Sequence, residues 1–131
     1  RSNSMLSADI SVEAQNADSG SLLNLYRTFA KLRNNYISLA SGEISEHAKY
    51  GSSSSAKAIA AWYLTSGSEK TLVVHNFGST TATLPFGAED LGTCIGLNGT
   101  ASLKTTTNSG VITDNTLTLS SYGSVVFLIS E

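Results

Sequence analysis

One segment of this chain has a helical rhythm, and almost everything after it does not. In residues 21–36, SLLNLYRTFAKLRNNY, the side chains Leu22, Leu25, Tyr26, Phe29, Leu32, Arg33 and Tyr36 recur at intervals of three and four. That spacing puts them on one side of a helix, with Asn24, Thr28, Lys31, Asn34 and Asn35 mostly on the other. Burying each large apolar side chain of such a stripe stabilises a fold by about 1.5–3 kcal/mol, so the helix needs a partner surface. Asp18 is placed to accept from the first free N–H groups and Ser41-Gly42 supplies a stop. The helix is therefore expected to begin near residue 19 or 20 and to end before Gly42. Residues 1–17 carry no periodicity and read as an irregular arm.

Beyond Gly42 the period is two. Residues 43–50, EISEHAKY, alternate imperfectly and predict a first, partly exposed strand, followed by a loop of Gly51 and four serines, residues 52–55. AIAAWYL at 58–64 and TLVVHNF at 71–77, joined by a turn of hairpin length, predict a hairpin. Residues 80–86 form a further strand that Pro85 confines to a sheet edge. Residues 94–97 predict a short strand, with Asn98-Gly99 as a hairpin turn and 101–103 returning from it. TLTL at 116–119 and SVVFLI at 124–129 close the chain. Seven or eight short strands separated by turn signals describe an antiparallel β-sandwich. The organisation expected is thus mainly β: an arm and one amphipathic helix over 1–40, then an all-β sandwich over 41–131.

The 131 residues, 40% of them hydrophobic, suffice for one domain with a sizeable core. Net charge is −2 and the eight Lys and Arg are scattered, which leaves no electrostatic footprint for nucleic acid. Nor is there a basic amphipathic helix for a membrane surface, or an apolar run of the roughly 20 residues that span one. Cys94 is the sole cysteine, so neither an intrachain disulfide nor a multi-cysteine metal site is available, and it is expected as a small buried residue of a strand. Residues 1–15 lack the ordered regions of a signal peptide, which suits either a cytosolic protein or a piece of a longer one. Low charge and abundant Ser and Thr favour an extracytoplasmic bacterial protein, periplasmic or secreted.

Chemistry-bearing constellations are scarce. Glycoside hydrolysis needs two carboxylates about 5–10 Å apart in one cleft, yet the ten acids fall in turns, caps and termini, in contexts that predict solvation. The two histidines, His47 and His75, are not spaced with acids as a metal site requires, so neither metal nor other cofactor is expected. His47 is expected solvated and His75 hydrogen-bonded within its strand. No G-x-S-x-G elbow or phosphate loop occurs. The residues equipped to recognise a ligand are the aromatics Tyr50, Trp62 and Tyr63, whose faces stack on sugar rings. Trp62 and Tyr63 point to opposite sides of one strand, so one faces the core and the other covers an interface or meets solvent.

The run SVEAQ at 11–15, the segment 18–21 and LLNLYRTFAKLRNNY resemble the end of the catalytic domain in the alpha-amylase family of glycoside hydrolases, family 13. There, a V-E-x-Q segment leads into the last barrel helix. The later stretches AIAAWYLTSGSEKTLVVHNFGSTTATLP and TLTLSSYGSVVFLI look like that family's domain C. Two departures are Ser121 where the family usually carries Pro, and Leu64 where it often carries Arg. The barrel strands that carry the family's catalytic carboxylates have no counterpart here, so no catalytic residue is carried over. The resemblance implies a non-catalytic domain that stabilises an alpha-glucan hydrolase by packing on its barrel. Leu22, Leu25, Tyr26, Phe29 and Leu32 would face that barrel, and without it such a surface invites self-association. The rival readings are a free-standing carbohydrate-binding module, with Trp62 in contact with alpha-glucan, and an adhesin-like module in which the helix is dispensable.

Overall fold

Residues 12–19, 21–51 and 58–130 are described in the computed structural model of the chain. Three short helices come first, α1 (Val12–Ala17), α2 (Leu22–Asn35) and α3 (Ile37–Ser41). Eight strands follow: β1 (Glu43–Glu46), β2 (Ile59–Ser66), β3 (Glu69–Asn76), β4 (Ala82–Gly87), β5 (Thr93–Asn98), β6 (Ala101–Asn108), β7 (Val111–Leu119) and β8 (Ser124–Ser130). They form a five-stranded sheet of order β1-β2-β3-β8-β5 and a three-stranded sheet of order β4-β7-β6, all pairs antiparallel.

Alternation builds the core between the two sheets. Ile59 and Ala61 of β2, Leu72 and Val74 of β3, and Val125 and Phe127 of β8 point inward from the large sheet. They meet Leu84 and Phe86 of β4 and Leu117 and Leu119 of β7. One buried polar residue beside this core is Asn76, whose Nδ2 reaches the carbonyls of Thr80 at 2.9 Å, Leu119 at 3.2 Å and Ser120 at 3.0 Å. Its Oδ1 accepts from the Gly78 N–H at 2.9 Å. One side chain thus fastens the β3–β4 connection to the β7–β8 turn.

The outer face of the large sheet carries the helices. Leu32 of α2 lies over Gly96, where a Cβ would come within 2.4 Å of its Cδ1, beside Val126. Glycine at 96 therefore lets the helix approach closely. In α3, the Ser38 hydroxyl shares a hydrogen bond of 3.2 Å with Thr71, and its N–H donates to Glu69 Oε1 at 2.7 Å. Thr71, Val73 and Val126 point outward yet are buried, which is why β3 and β8 read as continuous apolar runs.

The hairpin of β2 and β3, the edge position of Pro85 in β4, and the closing strand β8 stand as the sequence predicted. Other expectations are corrected. Residues 12–17 are helical instead of an irregular arm, and the N-cap of α2 is Ser21, whose hydroxyl accepts from the Asn24 N–H, in place of Asp18. Tyr36, extended at φ −121°, interrupts the expected single helix. The break turns α3 down onto the sheet so that Ser38 can reach Thr71.

The strand expected over 43–50 ends at Glu46, after which the chain turns and buries His47 and Tyr50. Asn98-Gly99 closes no hairpin: β5 pairs with β8 and β6 with β7, so the chain crosses from one sheet to the other. The Thr100 N–H and carbonyl hold Ser120 during that crossing. The hairpin turn lies instead at Ser109 and Gly110, both at positive φ, as a two-residue loop matching strand twist requires. Cys94 is in a strand, as expected, but exposed, on β5 at the edge of the large sheet. The serine loop over 52–55 lies outside the described residues.

Candidate functional site

Three features concentrate side chains that interact with something other than the core. The first is the turn after β1. His47, expected solvated, is buried among the rings of Tyr50, Tyr63 and Phe86, with centroids 5.2–5.5 Å away. Its Nδ1 accepts from the Lys49 N–H at 3.1 Å, which places the ring proton on Nε2, donated to Asp90 Oδ2 at 3.1 Å. Asp90, one of the acids expected in solvent, is buried and also accepts from the Tyr63 hydroxyl and, at 3.0 Å, from the Gly87 N–H. Burial raises its pKa, but the hydrogen bonds from Tyr63, His47 and Gly87 and the nearby imidazole outweigh burial and hold it below the ordinary carboxylate value. The Tyr63 phenol is pushed well above its ordinary 10 by burial and by its bond to Asp90.

An open cleft of about 430 Å³ adjoins this cluster, with Lys49, Glu89 and Asp114 on its walls. The His47, Tyr63 and Gly87 donors all converge on Asp90, so the arrangement ties the β1–β2 connection to the β4–β5 loop and presents no nucleophile. Among the described residues no group of three or more His, Cys, Asp and Glu is placed to hold a metal ion, and no helix is long and apolar enough to cross a membrane. Nothing in the local sequence signals the cluster, because His47 and Asp90 are 43 residues apart.

The second feature is the stripe of α2. Leu32 is buried on the sheet, Leu25 and Phe29 are half-buried, and Leu22 and Tyr26 are 62% and 68% exposed. The helix is thus seated at its C-terminal end, while the other half of its apolar face stands clear.

The third is a row of rings on the outer face of the large sheet. Trp62 and Tyr63 do part, as alternation requires: Tyr63 packs on the core, and Trp62 lies half-buried on the outer face. Its ring is 5.0 Å from that of His75, which is 5.5 Å from that of Phe77. The hairpin register carries the signal for this row, since it sets His75 diagonally across from Trp62. The Ser124 hydroxyl shares a hydrogen bond with His75 Nδ1, as the sequence led one to expect of this histidine.

Burial lowers the pKa of His75 below its ordinary 6.5. The unfolded chain therefore takes up this proton first. Stability is expected to be complete above pH 6.5 and to fall as the pH drops from there toward the lower folded value. Urea denaturation at a series of pH values checks it: His75→Gln should flatten that part of the profile. A separate loss, beginning below the ordinary 3.8 of Asp90, should persist in the variant.

A family model described as the alpha-amylase SusG C-terminal domain matches residues 59–126, just over half of the chain. The chain belongs to the SusG C-terminal domain family. It is also 40% identical over 122 residues to the alpha-amylase SusG of Bacteroides thetaiotaomicron. That alignment covers 92% of this chain but only 17% of SusG.

Solved structures share the fold. An isomaltulose synthase mutant from Erwinia rhapontici NX5, in complex with D-glucose, superposes with a TM-score of 0.73 at 22% identity, over 94% of this chain and 20% of its own. The alpha-amylase from H. orenii gives 0.69 at 20% identity, over 92% and 22%. The resemblance carried by residues 11–36 and 56–86 is upheld at the level of family, and the SusG C-terminal match extends it across 87–110.

Proposed function

We propose that this chain is the non-catalytic C-terminal domain of an alpha-amylase-type enzyme acting on alpha-glucans, and that it stabilises the catalytic barrel of the same polypeptide by docking α2 against it. The observation that carries the reading is the half-seated helix: Leu32 fixes its end to the sandwich, while Leu22 and Tyr26 expose large apolar surface. Exposed apolar patches of this kind mark interaction sites, and they also favour self-association of the domain when it stands alone. The 17% share of the alpha-amylase SusG that the chain covers supports a longer parent protein. The bacterial source of that relative, together with the low 14% content of charged residues, supports an extracytoplasmic bacterial setting.

Immunoblotting of source cells with an antibody against residues 42–131 tests the parentage. A band several times heavier than 13.7 kDa is expected, and a band at that mass would sink the reading. The purified 131-residue chain should release no reducing sugar from starch. Tyr26→Ser should leave the melting temperature of the isolated chain unchanged and lower that of the longer polypeptide.

A further inference from the structure

Each open sheet has two edges, and three of the four in this fold are blunted. β1, at one edge of the large sheet, is only four residues long and carries Glu43 and Glu46 at its ends. β5, at the other, slips register between Cys94 and Gly96, with Ile95 as its extra residue. β4, at an edge of the small sheet, holds Pro85, which has no N–H to offer. Short strands, charges, bulges and prolines are the means by which edges avoid pairing with another chain. β6 lacks them. It runs for eight residues with no proline and one charge, Lys104, and among the described residues no strand lies on its far side. The register shift in its own hairpin puts the extra residue, Thr113, on β7, so β6 runs on unbroken. From Ser102 to Asn108 every residue is exposed.

We propose that β6 pairs edge to edge with β6 of a second copy of this chain, antiparallel about a two-fold axis at Thr105, so that the two small sheets become one. A two-fold contact must complement itself, and the sequence of β6 selects among its registers. Centred on Lys104, the pairing would set two ammonium groups opposite each other, which opposes association. Centred on Leu103 or Thr106, it would leave a larger part of the strand unpaired. Centred on Thr105, it runs from Ser102 to Asn108 and opposes no like charges. Lys104 then lies opposite Thr106, Leu103 opposite Thr107, and Thr105 opposite itself. The hairpin register extends these rows, since Thr106 is paired with Asp114 and Thr107 with Ile112 within each chain. Lys104 of one copy is therefore in line with Asp114 of the other, two strand spacings or about 10 Å away, a gap that the two side chains span. On the opposite face, Leu103, 43% exposed, lines up with Thr107 and Ile112 of the other copy, and Ile112 is itself 47% exposed. The contact thus satisfies the open main-chain groups of β6, brings opposite charges together twice and covers apolar surface twice. The small sheet lies across the core from the helices, so this edge is separate from the stripe of α2, and the inference does not rest on the domain reading.

Sedimentation equilibrium of the full-length polypeptide that contains this chain tests the pairing, and a concentration-dependent dimer is expected. Thr106→Lys sets a like charge opposite Lys104 of the other copy, twice per dimer, yet within its own hairpin it faces Asp114, so the fold is kept. It should weaken the dimer about tenfold and leave the melting temperature of the monomer unchanged. Adding Lys104→Glu to Thr106→Lys puts opposite charges across the contact again and should recover the dimer. A polypeptide that stays monomeric at every concentration overturns the inference, and so does a Thr106→Lys dimer as tight as the original. Should Tyr26→Ser dissolve the dimer while Thr106→Lys does not, the copies meet through α2 and the inference falls. Should the double variant fail to recover the dimer, the register about Thr105 is wrong and it falls likewise. An immunoblot band at 13.7 kDa would overturn the domain reading alone, since the 131-residue chain would then be the polypeptide to sediment.

Discussion

Replacing Asn76 by Asp is expected to lower the stability of the sandwich by about 3–4 kcal/mol, although the two side chains have the same shape. The amide of Asn76 faces the carbonyls of Thr80, Leu119 and Ser120 inside a site that is only 2% exposed. Aspartate would set an oxygen against three oxygens there, retaining only the Gly78 N–H as a donor. It must either hold a buried charge facing carbonyl dipoles or take up a proton to relieve it, and both cost free energy. Asn76→Ala should cost less, about 2–3 kcal/mol, because it leaves the carbonyls unpaired without opposing them. Urea denaturation monitored by circular dichroism gives both values. An Asp variant no less stable than the Ala variant would show that the site relaxes or admits water.

The second large effect is expected at Asp90. Asp90→Ala removes the common acceptor of the Tyr63 hydroxyl, the His47 Nε2–H and the Gly87 N–H, leaving one buried and two partly buried donors without this partner. A loss of about 2–4 kcal/mol is expected, against about 1–2 for Tyr63→Phe, which removes one donor and leaves the carboxylate two others. Because the groups form one network, the combined Asp90→Ala and Tyr63→Phe variant should cost clearly less than the sum of its parts. Additive losses in this double-mutant cycle would mean that the network is not cooperative. Glucan binding or hydrolysis would play no part in the readout, which suits a clamp between connections.

What the sequence made legible was whatever depends on neighbours along the chain. The apolar runs AIAAWYL and TLVVHNF, joined by turn residues, placed β2 and β3, Pro85 marked an edge, and the spacing of leucines found α2. The break at Tyr36 was hidden because helical periodicity runs through it. It exists to satisfy a contact between Ser38 and Thr71, 33 residues apart. The burial of His47 and Asp90 was hidden for the same reason: each is an ordinary polar residue until a distant loop supplies its partner. Asn98-Gly99 misled because positive φ serves a crossing between sheets as well as a hairpin, and which of the two it makes is decided by whether β8 or β6 takes the place beside β5. Of the candidate interface, Leu22, Leu25, Tyr26, Phe29 and Trp62 were marked by periodicity and by residue type, whereas Leu32, marked by the same periodicity, is taken up by the domain's own sheet. The row of rings through His75 and Phe77 needed the register of the hairpin.

The strand order has a kinetic consequence. β8 comes last of the eight strands among the described residues, yet it lies between β3 and β5 in the large sheet. The β2–β3 and β6–β7 hairpins close locally and can form early, but β5 has no partner until β8 arrives from beyond β7. Closing such distant pairs before any reward is gained slows folding into the millisecond-to-second range. Until that moment the edges of β3 and β5 are unpaired, so the interval before β8 inserts is when the nascent domain is most open to pairing with another chain.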